Sequence, residues 1–140
     1  MASFNKFNAF VEHQAEGVHD LGSDQLVVAL CAAANAPGAT DSVLADLTEI
    51  TYTNLSSRNI TTSASAQSSG TYKLTLADLV LTASGGSVGP FRYVVIYNDT
   101  PSSPADPLIG YYDHGSEVTL ASGETYTIDF DDSNGVLQVA

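Results

Sequence analysis

The chain of 140 residues has the size of one domain, and with 44% hydrophobic and only 14% charged residues it favours a folded core over disorder. Sixteen acidic residues against four basic ones give a net charge of -12, which repels nucleic-acid phosphates and anionic lipid head groups. We therefore expect neither nucleic acid nor a membrane as a partner, and a charged protein partner should be basic.

The N-terminal segment has helical periodicity. Four apolar side chains recur at three- and four-residue spacing: Phe4, Phe7, Phe10 and Val11. This spacing predicts one amphipathic helix at about residues 3–18, with Ser3 as the N-cap and Gly17 or Gly22 as the end. Because burying a phenylalanine gains roughly 1.5 to 3 kcal/mol, the stripe must pack on a sheet or on a neighbouring subunit.

From residue 24 onward, short β-type runs alternate with Gly, Pro, Ser, Asn and Asp, so no second helix is expected. The predicted strands are 25–32, 49–53, 71–76, 79–83, 91–97, 108–113, 117–120, 125–130 and 136–139. The stretch 93–97 is apolar on both faces, which predicts a central strand. The pair Asn134-Gly135 predicts a hairpin between the last two strands.

The segment 55–70 differs from its surroundings in composition. It is rich in Ser, Thr, Asn and Ala and has almost no large apolar side chain after Ile60, so it can contribute little to a core. We expect a long exposed loop that becomes ordered against a partner.

So many short strands in so short a chain predict an all-β fold, a two-sheet β-sandwich with one N-terminal amphipathic helix. A jelly-roll and an immunoglobulin-like topology both fit, although the Cys, Trp, Cys framework of a true immunoglobulin domain is absent. We expect a single domain over residues 1–140, with the helix at 3–18 and the sandwich at 24–140.

The three histidines and the single cysteine offer little material for chemistry. Cys31 lies in an apolar run, which predicts a buried side chain rather than a reactive thiol, and one cysteine cannot form a disulfide within the chain. The six-residue spacing of His13 and His19 puts the rings on different faces of a helix and predicts solvated histidines. The acid, imidazole and hydroxyl of residues 113–116 are adjacent in sequence, which is typical of a turn rather than of a catalytic triad.

The acidic run 129–135 has the oxygen ligands of a calcium loop but departs from the EF-hand pattern. Counted from Asp129, Gly135 is seventh where a glycine is needed sixth, and Ala140 stands where the last carboxylate belongs. A solvated acidic hairpin is therefore expected. The sequence predicts no enzyme activity, no catalytic or metal-binding residue and no cofactor.

Signals for export and membrane insertion are also missing. No apolar run reaches the roughly 18 to 20 residues that span a bilayer, and the N-terminus has no basic leader with a hydrophobic core. We expect a protein that is made and assembled in a cytoplasm.

Several segments together resemble small capsid decoration, or cement, proteins of tailed phages, of the jelly-roll type. They span most of the chain and are residues 4–8, 18–24, 42–50, 69–74, 89–95, 97–100 and 107–113. The resemblance implies a jelly-roll protein on the outer surface of an icosahedral head. It further implies a homodimer near two-fold positions that clamps neighbouring major capsid proteins after the shell has expanded, and it transfers no catalytic residue.

An adhesive role requires contact surfaces, and the sequence offers an apolar stripe and a polar segment. The residues predicted to contact other proteins are Phe4, Phe7, Phe10, Leu55, Arg58 and Ile60. The alternative is a phage fibre or carbohydrate-binding β-sandwich module for host attachment. It would use exposed tyrosines such as Tyr97, Tyr111 and Tyr112 as platforms for sugars.

Overall fold

The computed structural model describes residues 2–140, which form nine β-strands and one α-helix. The elements in chain order are β1 (Phe4–Lys6), α1 (Asn8–Ala15), β2 (Leu26–Cys31), β3 (Thr62–Ser68), β4 (Thr71–Leu76), β5 (Leu79–Thr82), β6 (Val88–Asn98), β7 (Leu108–Leu120), β8 (Thr125–Ile128) and β9 (Leu137–Val139). Short 3-10 turns lie at Ala33–Asn35 and Leu44–Asp46. Within residues 2–140, no helix combines the length and apolarity needed to cross a membrane.

All paired strands are antiparallel, and they form three sheets. The strand orders are β1-β7-β6-β2, β3-β4-β9 and β5-β8. The predicted all-β class with one helix is therefore confirmed. The strands are divided among three sheets rather than two, and a jelly-roll topology is not confirmed.

The four-stranded sheet is buried on both faces. Val94 and Ile96 of β6 belong to the main core, which also contains residues of β4, β5 and β8. Their neighbours Tyr93, Val95 and Tyr97 point the other way, into a second core. The prediction that 93–97 is a central strand is confirmed, because β6 lies between β7 and β2.

The N-terminal segment is a strand followed by a short helix, not one helix over 3–18. Phe4 pairs with Tyr112 of β7, and the Phe4 ring lies over Gly110, where a Cβ atom would overlap it. Helix α1 begins only after Phe7, so the predicted N-cap at Ser3 is wrong. Its end is as expected at Gly17, whose left-handed φ of 76° terminates the helix.

Three details of the strand prediction are wrong. Residues 49–53 form no strand and instead run beside β2, where the Ile50 amide donates to the Leu30 carbonyl at 2.9 Å. The segments 108–113 and 117–120 are one continuous strand, β7. No hairpin joins β8 to β9 at Asn134-Gly135, because β8 pairs with β5 and β9 pairs with β4.

Candidate protein-binding surface

Three of the predicted contact residues are buried in the interior of the folded protein. Phe7 is 0% exposed, Phe10 is 6% exposed and Ile60 is 4% exposed, so none of them presents a side chain to another protein. The contact role predicted for these three residues is corrected to a core role. The apolar stripe packs on the protein's own sheet because Phe7 fills the second core and Phe10 the main core.

The other three predicted contact residues are partly buried. Phe4 packs against the main core with its ring 5.4 Å from that of Tyr112, and Leu55 packs against the same core. Arg58 is half-buried, and its guanidinium lies 3.7 Å from the centre of the Tyr52 ring. The six predicted contact residues therefore do not form one surface patch.

Arg58 fastens the segment before β3 to the edge of β2. Its backbone carbonyl accepts a hydrogen bond from the Val28 amide at 3.0 Å, and its Nη1 donates to the Val28 carbonyl at 2.6 Å. The Tyr52 hydroxyl donates to Glu49 Oε1 at 2.6 Å and accepts from the Leu30 amide at 2.9 Å. Burial, together with this bond to Glu49, raises the pKa of Tyr52 well above its usual range. The cluster holds the edge of β2 closed, which is a structural role.

We expect Arg58→Ala to lower the free energy of unfolding by about 1 to 3 kcal/mol, because it leaves the buried Val28 carbonyl without its side-chain donor. Urea denaturation followed by circular dichroism measures the change. The matched control is Arg92→Ala, which breaks a partly exposed salt bridge between Arg92 Nε and Asp113 Oδ1 at 2.8 Å. This variant should lower the free energy of unfolding clearly less, because solvent screens such surface pairs. Equal costs for the two variants would contradict the structural role of Arg58.

His19 is buried, so the prediction of solvated histidines is wrong for this residue. It is 5% exposed, and its Nδ1 accepts a hydrogen bond from Asn98 Nδ2 at 3.0 Å. Asn98 Nδ2 also donates to Asp24 Oδ2 at 2.7 Å. With Nδ1 as the acceptor, the proton of the neutral ring lies on Nε2, an atom that has no hydrogen-bond partner in residues 2–140. Burial, and secondarily His13, lowers the pKa of His19 to about 4.

The His19 arrangement does not favour a metal ion. Its ring centre lies 6.1 Å from that of His13. A metal ion on Nε2 would, however, require the ring proton to be on Nδ1, where it would face the amide N–H of Asn98 and replace a hydrogen bond by a contact between two donors. Among the described residues, no group of three or more His, Cys, Asp and Glu side chains is placed to hold a metal ion.

The remaining reactive groups are separated or shielded. Asp113 accepts hydrogen bonds from Arg92 and from the Gly115 amide, which hold the pKa of its carboxyl below its usual range. His114 instead contacts the Tyr126 hydroxyl at 3.1 Å, so residues 113–116 do not form a triad. The turn predicted there is wrong, because these residues lie within the continuous strand β7. Cys31 is completely buried, as predicted, and burial raises the pKa of its thiol to about 11.

The aromatic platforms of the carbohydrate-binding alternative are largely covered. Tyr97 is 6% exposed and Tyr112 is 9% exposed. Tyr111 is partly buried, with its ring 5.3 Å from that of Phe7. Tyr97 and Tyr112 therefore offer no open ring face of the kind on which sugars stack.

The most exposed regular element is β3, which lies within the predicted loop 55–70. From Ser63 to Ser68 every residue is exposed, on both faces of the strand. The expected exposure is therefore found, but the segment is a strand of an antiparallel hairpin rather than a loop. A two-residue turn, Ser69-Gly70, joins β3 to β4, with φ angles of 51° and 84°.

The outer edge of β3 is open. No backbone hydrogen bond within residues 2–140 joins β3 to any element other than β4. The edge of β2, in contrast, is covered by backbone bonds from Ile50, Arg58 and Ile60. Open edges are binding sites for further strands, so β3 is the part of this chain best suited to contact another protein.

A shallow groove lies on the outer face of the same sheet. It is lined by residues of all three strands: Ala64, Ala66, Gln67, Ser68, Thr71, Lys73 and Gln138. Lys73 donates from Nζ to the Ser133 carbonyl at 2.8 Å, which holds its aliphatic stem across the sheet. We call this groove, together with the open edge of β3, the β3 surface. Comparison of the chain with family models, with curated proteins and with solved structures yields no match.

Proposed function

We propose that this chain is a structural virion protein that binds the outer surface of a tailed-phage icosahedral capsid. It clamps neighbouring major capsid proteins and thereby stabilises the expanded head. The observation that carries the proposal is the β3 surface, an ordered sheet edge that is exposed on both faces and unpaired within residues 2–140. An element that buries so little of its own surface gains stability by packing on another protein.

Charge supports a protein lattice as the partner. The net charge is -12, and two of the four cations are already paired with carboxylates, Arg58 with Glu49 and Arg92 with Asp113. The surface therefore repels nucleic acid and anionic membranes and attracts basic protein surfaces. A coat on the outside of a head has no need to contact the packaged nucleic acid.

The proposal includes the finer fold and the mode of action. We place the three sheets in a two-layer, jelly-roll-type sandwich and take residues 1–140 as one domain that acts without catalysis, cofactor or metal. The engagement of Asp113 by Arg92, away from His114, supports the non-catalytic role. A fibre or carbohydrate-binding module has less support because Tyr97 and Tyr112 are buried.

Binding to expanded capsids that lack this chain tests the function. We expect the purified protein to co-sediment with such capsids at a saturating ratio set by the lattice, and to restore their resistance to heat and to osmotic shock. Particles whose resistance is the same with and without the chain would contradict the proposal.

A matched pair of variants tests the surface. Gln138→Arg places a long side chain in the groove and should weaken capsid binding by about tenfold. Val80→Arg makes the same charge change at an exposed site on β5, in another sheet, and should leave binding unchanged. Equal binding by the two variants would remove the groove from the interface.

A further inference from the structure

The hairpin geometry determines which backbone groups of β3 face outward. In a hairpin with a two-residue turn, the residues that flank the turn form a hydrogen-bonded pair, and bonded and non-bonded pairs then alternate. Ser68 and Thr71 flank the turn and form the first hydrogen-bonded pair, so the backbone groups of Ala66 and Ala64 also hydrogen-bond to β4. The N–H and C=O groups of Ser65 and Gln67 consequently point away from β4, into the open edge.

This edge lacks the charges and prolines by which proteins often prevent edge-to-edge pairing. Its one irregularity, a register shift between Thr62 and Ala64, is confined to the start of the strand. Residues 59–72 contain no charged residue and no proline, although the chain as a whole carries a net charge of -12. The strand β3 itself therefore brings no charge to a contact between two copies of this chain.

The sequence of β3 is also compatible with itself in the antiparallel direction. The strand covers residues 62–68, and its central residue, Ser65, is one whose backbone groups point outward. A two-fold axis at Ser65 sets Ala64 opposite Ala66 of the partner subunit, and Ala66 opposite the partner's Ala64. Both positions are small and exposed, so the two strands meet without steric conflict on this face.

We propose that β3 pairs antiparallel with β3 of a second copy, around a two-fold axis at Ser65. The product is a continuous six-stranded sheet in the order β9-β4-β3-β3-β4-β9. Because a two-fold axis between antiparallel strands is perpendicular to the sheet, both outer-face grooves lie on the same side. The use of this dimer as a clamp with two equivalent binding faces rests on the proposed function, whereas the dimer itself does not.

Two double variants test both the pairing and its register. The like-charge variant combines Ala64→Glu with Ala66→Glu, so that each new carboxylate lies directly opposite another across the axis, which is destabilising. The opposite-charge variant combines Ala64→Lys with Ala66→Glu, so that each ammonium lies opposite a carboxylate. Both variants carry the same change at position 66, beside Lys73, and they differ only at position 64, whose partner within the chain is the neutral Thr75.

Sedimentation velocity over a range of protein concentrations provides the measurement, with circular dichroism to confirm that each variant is folded. We expect the native chain and the opposite-charge variant to sediment as dimers. The like-charge variant should be monomeric at concentrations where the native chain is fully dimeric. A native chain that is monomeric throughout, or a like-charge variant that dimerises as the native chain does, would overturn the proposal.

Capsid binding separates this inference from the proposed function. A monomeric native chain that still stabilises capsids would refute the β3 dimer and leave the function standing. A dimer that dissociates in the like-charge variant but never binds capsids would refute the function and leave the dimer standing. If both hold, the like-charge variant loses the avidity that comes from two linked binding faces, and its capsid affinity falls by about 100-fold or more.

Discussion

Replacing Phe7 by alanine should lower the free energy of unfolding by about 3 to 5 kcal/mol, the range found when a buried phenylalanine is truncated. Phe7 is 0% exposed and packs in the second core, with its ring 5.3 Å from that of Tyr111. Small domains are stable by only about 5 to 15 kcal/mol, so the variant should unfold at a much lower urea concentration. Because the chain has no tryptophan, tyrosine fluorescence and circular dichroism are suitable signals.

The matched control for this prediction lies four residues further along the chain, in helix α1. Val11 is 54% exposed, so Val11→Ala removes little buried surface and should change the free energy of unfolding by no more than about 0.5 kcal/mol. If Phe7 were instead a contact residue for another protein, Phe7→Ala would weaken binding and leave urea unfolding unchanged. That result would contradict the core role.

Local side-chain patterns are sufficient to predict much of this fold. Strand β4 is found at the predicted residues 71–76, and the apolar run 93–97 lies in the central strand β6. Both predictions depend only on which neighbouring side chains are apolar, and the sequence displays this directly.

The errors arise where long-range contacts decide the structure. The spacing of Phe4, Phe7 and Phe10 fits a helix, but Phe4 pairs with β7, where Gly110 leaves room for its ring. Nothing near Phe4 in the sequence indicates a partner so far along the chain. Likewise, His19 is buried against Asn98, which is 79 residues distant.

The amino-acid composition of β3 does not indicate a strand. Ser, Thr and Ala have no large apolar side chain with which to mark one face of a strand, so the segment has the appearance of a loop. Its signals were the dipeptide Ser69-Gly70, suited to a tight turn, and the regular alternation of Ser with Ala between residues 63 and 66. The prediction of exposure at 55–70 identified the correct region but not its conformation.

The second large effect is a loss of stability as the pH falls from 6.5 toward 4, with His19 as the main cause. The pKa of His19 is lowered from 6.5 to about 4 in the folded protein. Between these values the unfolded chain binds a proton that the folded chain does not, so the free energy of unfolding rises with pH in this window. The linkage amounts to about 2.5 kcal/mol between pH 7.5 and pH 4.5, and it is fully present at pH 7.5.

Two variants isolate this contribution in urea unfolding measured across the same pH range. His19→Asn places an amide oxygen near the position of Nδ1, where it can accept the bond from Asn98, and it removes the titrating ring. We expect the free energy of unfolding of this variant to rise less steeply with pH than that of the native chain. The difference in slope should correspond to about one bound proton. Val28→Ala, a completely buried site without a titrating group, should lower stability by a similar amount at every pH and remain parallel to the native chain. Parallel curves for His19→Asn and the native chain would contradict this prediction, because they would show that His19 binds a proton equally well in the folded and the unfolded chain. The attraction between Asp24 and the charged ring would then offset the effect of burial on the pKa of His19.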